Sequence, residues 1–228
     1  MSALARVDPH TDLVTAQTDE WVGLSSRSTP GWPWPEDSYG MSPLYGEHGW
    51  CRGCGTPFAE QAGYLVIQGH GFPKSDVWMP NWLFDVVCVS ASLADEIRRT
   101  FQVTLREVHK PRTGPTGAQQ LIPARTPRTW YRPQDLEQAI QSRHAKTSGA
   151  KTGATCRKCG RWKWLPSWVG ETPIAPTTFS AGADLVASPE SFGDGLKSFH
   201  HLLFRRALGE LLVAANPKHW SLVEVAQL

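Results

Sequence analysis

The chain of 228 residues has no apolar run that approaches the roughly 18 residues of a membrane-spanning helix. Its first residues, MSALARVDPHTDL, carry no apolar stretch after the first charge, so no secretory signal is expected. We therefore expect a cytoplasmic protein with no membrane partner.

Charge is also scarce, because Asp, Glu, Lys and Arg make up only 19% of the chain, whereas Pro, Gly and Trp are plentiful. This composition predicts long ordered loops held by aromatic side chains. The catalytic motifs G-x-S-x-G, H-E-x-x-H and G-x-G-x-x-G are absent, as is the H-x-E that precedes C-x-x-C in zinc deaminases. A non-catalytic protein is favoured, and an enzyme without a recognisable motif is kept as a third hypothesis.

Only five cysteines are present, and four of them form two copies of one motif: CRGCG at 51–55 and CRKCG at 156–160. Two thiolates on a tight turn present two corners of a tetrahedron, and the glycine accepts the backbone angles of such a zinc knuckle. In a reducing compartment paired cysteines favour metal over disulfide. A four-thiolate site leaves no open coordination position, so the predicted ion is a structural Zn²⁺. The predicted ligands are Cys51, Cys54, Cys156 and Cys159.

Each motif alone supplies two sulfur ligands, which leaves two arrangements open. Either the motifs share one zinc across the intervening residues 55–155, or each binds its own ion and recruits histidine. His48, three residues before Cys51, is a candidate for that histidine. The fifth cysteine, Cys88, lies in an apolar run and is predicted to be a core residue.

The apolar pattern predicts a strand-helix-strand unit after each motif. The first unit spans 84–108, with its helix opened by a capping serine at Ser92. The second unit spans 199–225 and repeats the order, although 199–215 alone is also compatible with one continuous helix. A further helix is predicted over 135–144, after Pro133.

The predicted fold class is therefore α+β, with two pseudo-repeated halves joined through a structural zinc. The halves are about 48–110 and 152–228, connected by a basic, loop-rich segment at 111–151, and together they form one domain, 48–228. Residues 1–47 are acidic and rich in Pro and Trp, and are predicted to lie across that domain as an irregular arm.

The net charge of +2 hides a basic stretch, since 106–163 contains thirteen Lys or Arg and three acids. Within it, Trp162 and Trp164 alternate with Arg161 and Lys163, which predicts a strand with one indole face and one cationic face. One hypothesis is a nucleic-acid-binding surface formed by 106–164. The favoured alternative is that both indoles pack around the metal turn while both cations lie in solvent.

This layout resembles the double-CXXCG motif proteins, a family that expanded in myxobacteria and includes immunity proteins to polymorphic toxins. The chain departs from the family in its long N-terminal arm and in the Trp-rich stretch after the second motif. The resemblance implies a non-catalytic, zinc-stapled α+β protein that binds another protein, such as a cognate toxin. It rests on the layout of 48–225 and on six residues: Cys51, Cys54, Gly55, Cys156, Cys159 and Gly160.

Overall fold

The computed structural model of the protein describes residues 20–27, 32–68, 73–149, 151–175, 179, 182–196 and 198–226. Within these ranges the chain is a mixed α+β protein dominated by sheets. The helices are a 3₁₀ turn at Ser38–Gly40, α1 (Met41–Tyr45), α2 (Ala91–Thr100), α3 (Pro133–His144) and α4 (Arg206–Ala215). The strands are β1 (Trp21–Ser26), β2 (Leu65–Val66), β3 (Val77–Trp78), β4 (Val87–Val89), β5 (Thr104–Lys110), β6 (Gly114–Ile122), β7 (Ala124–Arg125), β8 (Gly153–Thr155), β9 (Trp162–Trp164), β10 (Leu185–Ala187), β11 (Leu202–Arg205) and β12 (Trp220–Glu224). Among the described helices, none is both long and apolar enough to cross a membrane.

The strands form two five-stranded sheets and a small hairpin. The first sheet has the order β2-β5-β6-β4-β3, and the second sheet has the order β12-β1-β11-β10-β7. Strands β8 and β9 pair with each other as a separate antiparallel hairpin.

Four neighbouring strands follow the same order and directions in both sheets. In the first sheet β6 is antiparallel to both of its neighbours, β5 and β4, and β4 is antiparallel to β3. In the second sheet β1 is antiparallel to both β12 and β11, and β11 is antiparallel to β10. Helix α2 connects β4 to β5, and α4 connects β11 to β12. The sheets differ in the strand that lies between the two strands joined by the helix. In the first sheet this strand is β6, which follows β5 in the chain, whereas in the second sheet it is β1, from the N-terminal part of the chain.

The prediction of an irregular arm over 1–47 is wrong for two of its segments. Residues 21–26 form β1, which lies inside the second sheet, and residues 41–45 form α1. Trp32 is buried and stacks on Trp220 with ring centroids 5.6 Å apart, whereas Trp34 is exposed. Residues 1–19 and 28–31 of the predicted arm lie outside the described residues.

Both predicted strand-helix-strand units are present, the first as β4-α2-β5 and the second as β11-α4-β12. The capping serine of α2 is Ser90 and not the predicted Ser92, because Ser90 has extended backbone angles and its Oγ accepts the N–H of Leu93. The alternative of one continuous helix over 199–215 is wrong, since Leu202–Arg205 form β11 and the helix begins only at Arg206. Helix α3 begins at Pro133, where the missing N–H of proline costs no hydrogen bond.

The second sheet is buried on both faces, which the alternation of its side chains explains. Val22 and Phe204 pack into a core shared with the first sheet and with α4, whereas Trp21 and Leu203 pack into a separate core with α3. Cys88 is fully buried in the shared core, as predicted, and this burial raises the pKa of its thiol well above the usual range.

Candidate metal centre

The four cysteines of the two CxxCG motifs come together, and their four Sγ atoms all lie within 4.8 Å of one another. We call this group the cysteine cluster: Cys51, Cys54, Cys156 and Cys159. The Sγ atoms of Cys51 and Cys156 are 3.8 Å apart, and those of Cys54 and Cys159 are 3.7 Å apart. A tetrahedral ion with metal–sulfur bonds of about 2.3 Å places neighbouring sulfurs about 3.8 Å apart. The cluster could therefore hold one metal ion.

The two turns that carry the cysteines have the same local structure. In the first turn the N–H of Gly55 donates to the Cys51 carbonyl, and in the second the N–H of Gly160 donates to the Cys156 carbonyl, both at 2.8 Å. The two glycines have φ of +73° and +72°. This left-handed conformation is costly for residues with a Cβ, which explains why glycine follows each pair.

The segments that flank the two turns also pair in the same register. Trp50 bridges Pro57 across the first turn, and Thr155 pairs with Trp162 across the second. In each case the residue before the first cysteine faces the third residue after the second cysteine. Both motifs therefore lie at the ends of antiparallel hairpins, which fixes the relative position of the two thiols in each.

The thiols of the cluster differ in their ease of ionisation. Backbone N–H groups of Cys159 and Lys158 lower the pKa of Cys156 to about 6. Desolvation raises the pKa of Cys159 to about 12. Cys51 and Cys54 are buried, and the Cys51 sulfur accepts the N–H of Gly53 at 3.3 Å. Cys156 therefore ionises at a lower pH than Cys159, and the thiolate is the form that binds metal.

Lys163 lies against the cluster, and the prediction that it is in solvent is wrong. Its side chain is buried, and Nζ donates to the carbonyl oxygens of Cys54 (3.0 Å) and Gly195 (2.7 Å). Desolvation lowers the pKa of Lys163, while nearby thiolates and Asp194 oppose that shift. The ammonium group is therefore placed to compensate negative charge on the sulfurs.

The indole side chains of β9 lie on the other side of that strand. Trp162 and Trp164 contact each other edge to face, with ring centroids 5.4 Å apart, which agrees with the predicted alternation. Trp162 remains 44% exposed, so the expectation that both indoles pack around the metal turn is wrong for Trp162.

His48, the candidate histidine ligand for separate ions, is exposed and does not belong to the group of possible metal ligands found among the described residues. The cluster brings the two motifs into one site without a histidine. Of the two arrangements left open by the sequence, the geometry favours the shared site.

A cavity of about 500 Å³ adjoins the cluster and is lined by Cys54 and Cys156. Asp194 is the acidic residue of its lining. The basic residues of the lining are Lys151, Arg157, Lys158 and Lys163.

A second group of polar side chains escaped sequence reasoning. His200 lies with Asp85, Arg125 and Tyr45 in a cavity of about 380 Å³ between the two sheets. These residues are far apart in the sequence and form no motif, so no local signal could have found them. The neighbouring His201 points elsewhere, toward Tyr131, because the backbone before β11 is extended and successive side chains alternate.

Comparison with protein-family models finds none that matches the chain, and comparisons with curated proteins and with solved structures give no match either. The functional inference therefore rests on the cysteine cluster and on the surfaces around it.

Proposed function

We propose that the cysteine cluster holds one structural zinc ion and that the protein acts by binding another protein. The observation that carries the metal assignment is the set of four sulfurs within 4.8 Å of one another. Four thiolates suit zinc, and they fill a tetrahedral coordination shell. No position is then left for a reacting water, so the ion stabilises the fold and performs no chemistry.

The ion would join the two halves of the predicted pseudo-repeat. Its ligands come from two hairpins of the same register, and the units that follow them have the same strand order, which supports the interpretation as two related halves. Because Cys51 and Cys156 are 105 positions apart, one ion closes a long loop and contributes its binding energy to folding.

Elemental analysis of the purified protein tests the shared site. We expect one zinc per chain, and we expect Cys156→Ser to lose it. Cys88→Ala is the matched control, because it removes the one cysteine outside the cluster and should keep the zinc. Two zinc ions per chain, one of which survives Cys156→Ser, would contradict the shared site.

The proposal of a protein partner is supported by aromatic side chains on the surface. Phe84 and Trp168 are both about two-fifths exposed and contact each other edge to face at 5.9 Å. Trp34 and Trp82 form a second such pair and are each about half exposed. Aromatic residues are enriched in the buried centres of protein interfaces. The resemblance to immunity proteins suggests a cognate toxin as the partner.

The test is co-purification of the chain with the product of a neighbouring gene, followed by size-exclusion chromatography. We expect a stable complex, and we expect co-expression to relieve any toxicity of that product. Trp34→Ala and Trp168→Ala probe the two aromatic pairs separately, and the variant that lies in the interface should weaken the complex by about tenfold or more. A chain that binds no protein but binds nucleic acid tightly would overturn the proposal.

A nucleic-acid-binding function is the second candidate, and the cavity beside the cluster favours it. Three exposed cations of that cavity, Lys151, Arg157 and Lys158, line a surface where a phosphate backbone could bind. The test is the salt dependence of binding to a single-stranded oligonucleotide. Lys158→Gln should reduce the slope by about one, whereas the exposed Lys218→Gln should leave it unchanged. A slope near zero for the unaltered chain would exclude this function.

A further inference from the structure

The cavity between the two sheets lies where the chain passes from β6 into β7. Its wall combines residues of the first sheet, such as Thr104 and Gln120, with residues of the second, such as Arg125 and Leu185. No residue of the cysteine cluster lines it. Its volume of about 380 Å³ falls within the usual range of about 300–1,000 Å³ for small-molecule sites.

Two oppositely charged side chains in this cavity both contact His200. The Asp85 carboxylate accepts the backbone N–H of His200 at 2.9 Å, and Nη1 of Arg125 lies 3.4 Å from Nε2 of the His200 ring. Nδ1 of His200 is 2.9 Å from the carbonyl oxygen of Glu190 and donates to it. Nε2 is therefore the unprotonated nitrogen that faces Arg125. The carboxylate and the guanidinium thus lie on two sides of one histidine, the first at its backbone N–H and the second at its ring.

Asp85 and Arg125 nevertheless do not pair with each other, since neither takes part in an ion pair within 4.0 Å in the described part of the chain. Burial raises the pKa of Asp85, and the nearby His200 and Arg125 act against that shift. Arg125 is exposed, so water solvates its guanidinium, whereas the partly buried Asp85 carboxylate accepts the N–H of His200. Because the two side chains do not neutralise each other, both are available to a ligand that enters the cavity.

The Tyr45 hydroxyl supplies a further hydrogen-bond donor to the cavity. Desolvation raises the pKa of Tyr45 far above its usual range, and the charge of Asp85 raises it further, so the phenol keeps its proton. Within the described ranges the Tyr45 hydroxyl makes no hydrogen bond to another residue. Gln61 and Gln120, in contrast, satisfy each other through a reciprocal amide pair at 2.8 and 2.9 Å.

We propose that this cavity is a binding site for a small zwitterion of the α-amino acid type, whose carboxylate pairs with Arg125 and whose ammonium group pairs with Asp85. A guanidinium binds a carboxylate through two parallel hydrogen bonds, and a carboxylate is the natural partner of an ammonium group. In an α-amino acid the ammonium and carboxylate groups are bonded to the same carbon, so one small ligand can present an opposite charge to each of the two side chains that contact His200. Tyr45 donates a further hydrogen bond to the ligand carboxylate.

Isothermal titration of the full chain, with its zinc retained, tests this site. The probes are the twenty proteinogenic L-amino acids, with acetate and methylammonium as ligands that carry one charge each. We expect at least one amino acid to bind, and acetate and methylammonium each to bind at least tenfold more weakly. Failure of every amino acid to bind below 10 mM, or equal binding of acetate, would overturn the proposal.

Variants distinguish this cavity from any other site. Arg125→Gln and Asp85→Asn each remove one charge and keep a hydrogen-bonding amide, and each should weaken amino-acid binding by about 10- to 100-fold. Arg128→Gln is the matched control, because Arg128 is exposed and does not line the cavity. Circular dichroism checks that each variant folds. Unchanged affinity in a folded Arg125→Gln or Asp85→Asn variant would also overturn the proposal.

Discussion

Lys163 donates a hydrogen bond of 3.0 Å from its ammonium group to the carbonyl oxygen of Cys54, a residue of the cysteine cluster. A second bond, to Gly195, ties the same ammonium to the loop before β11. Four thiolates around a divalent ion leave a net charge of −2 in a partly buried place. A buried cation beside them offsets that charge and fixes the first CxxCG turn from outside the ligand set.

Replacement of this lysine should weaken metal binding. For Lys163→Met we expect a loss of zinc affinity of about 10- to 100-fold, the usual effect of changing a group that supports metal ligands. Competition with a chromogenic chelator measures the affinity. Lys151→Met is the control, because Lys151 lines the same cavity but is exposed, and it should change the affinity little. Equal affinities for the two variants would show that Lys163 does not support the site.

The two glycines that close the CxxCG turns should differ in their tolerance of alanine. Both have a positive φ, but a Cβ at Gly160 would meet no atom within 4 Å, whereas a Cβ at Gly55 would lie 2.3 Å from the carbonyl oxygen of Leu196. Gly160→Ala should therefore cost only the conformational penalty, about 1–2 kcal/mol of unfolding free energy. Gly55→Ala should cost clearly more, because the backbone must shift. Urea denaturation of the two zinc-loaded variants measures their free energies of unfolding. Equal losses of unfolding free energy would contradict the expected effect of the Leu196 carbonyl.

The two CxxCG turns could be predicted because their signal is local, whereas their meeting in one cluster was left open, since the motifs are 105 positions apart. Two thiols and a glycine within five residues specify a turn, whatever surrounds them. The burial of Lys163 could not be predicted, since its partners Cys54 and Gly195 come from distant segments. The alternation of residue types in β9 predicts that the side chains of Lys163 and Trp162 lie on opposite faces of the strand. It does not predict which of the two faces is buried. The contact of Asp85 and Arg125 with His200 likewise depends on how the two sheets meet.

The fold was predictable to a similar degree. The segments β4-α2-β5 and β11-α4-β12 follow from apolar periodicity, which acts over a few residues. Strand β1 was missed because its sequence, WVGLSS, is short and half polar, and it lies in a Pro-rich and acidic region. Its partners are more than 170 positions away, at the other end of the chain. Such pairing is decided by the assembled sheet and not by local propensity.

The position of β1 inside the second sheet predicts that its inward side chains are essential for stability. Val22 is fully buried, and we expect Val22→Ala to lower the free energy of unfolding by about 2 kcal/mol. Ser25 lies in the same strand but is exposed, so Ser25→Ala should change the free energy of unfolding by less than about 0.5 kcal/mol. Thermal and urea unfolding measure both variants. Equal effects would mean that β1 does not contribute to the core.

His201 should make the protein sensitive to acid. Its ring is buried against Phe192, with centroids 3.8 Å apart, and its nitrogens contact the Tyr131 hydroxyl (2.5 Å) and the Ser167 carbonyl (2.8 Å). The carbonyl accepts the ring N–H, and the other nitrogen accepts the tyrosine proton, so the ring is neutral. Desolvation lowers the pKa of His201 from 6.5 to about 3.

The sign of the effect follows from where the proton binds. Below pH 6.5 the histidine of the unfolded chain takes up a proton, while the folded chain does so only near pH 3. The contribution of His201 to the free energy of unfolding is therefore complete above pH 6.5, and it is lost as the pH falls from 6.5 toward 3. The loss is about 1.4 kcal/mol per pH unit, or about 2 kcal/mol by pH 5.

Urea unfolding at several pH values between 7 and 5 measures this dependence. His201→Gln keeps polar groups at the site but cannot titrate there, so its stability should fall less steeply with acid than that of the unaltered chain. His48→Gln removes an exposed histidine and should keep the full slope. Protonation of the cysteines affects all three chains alike, and the difference between their slopes isolates His201. Parallel slopes for the unaltered chain and His201→Gln would show that the ring is already protonated in the folded protein at pH 5.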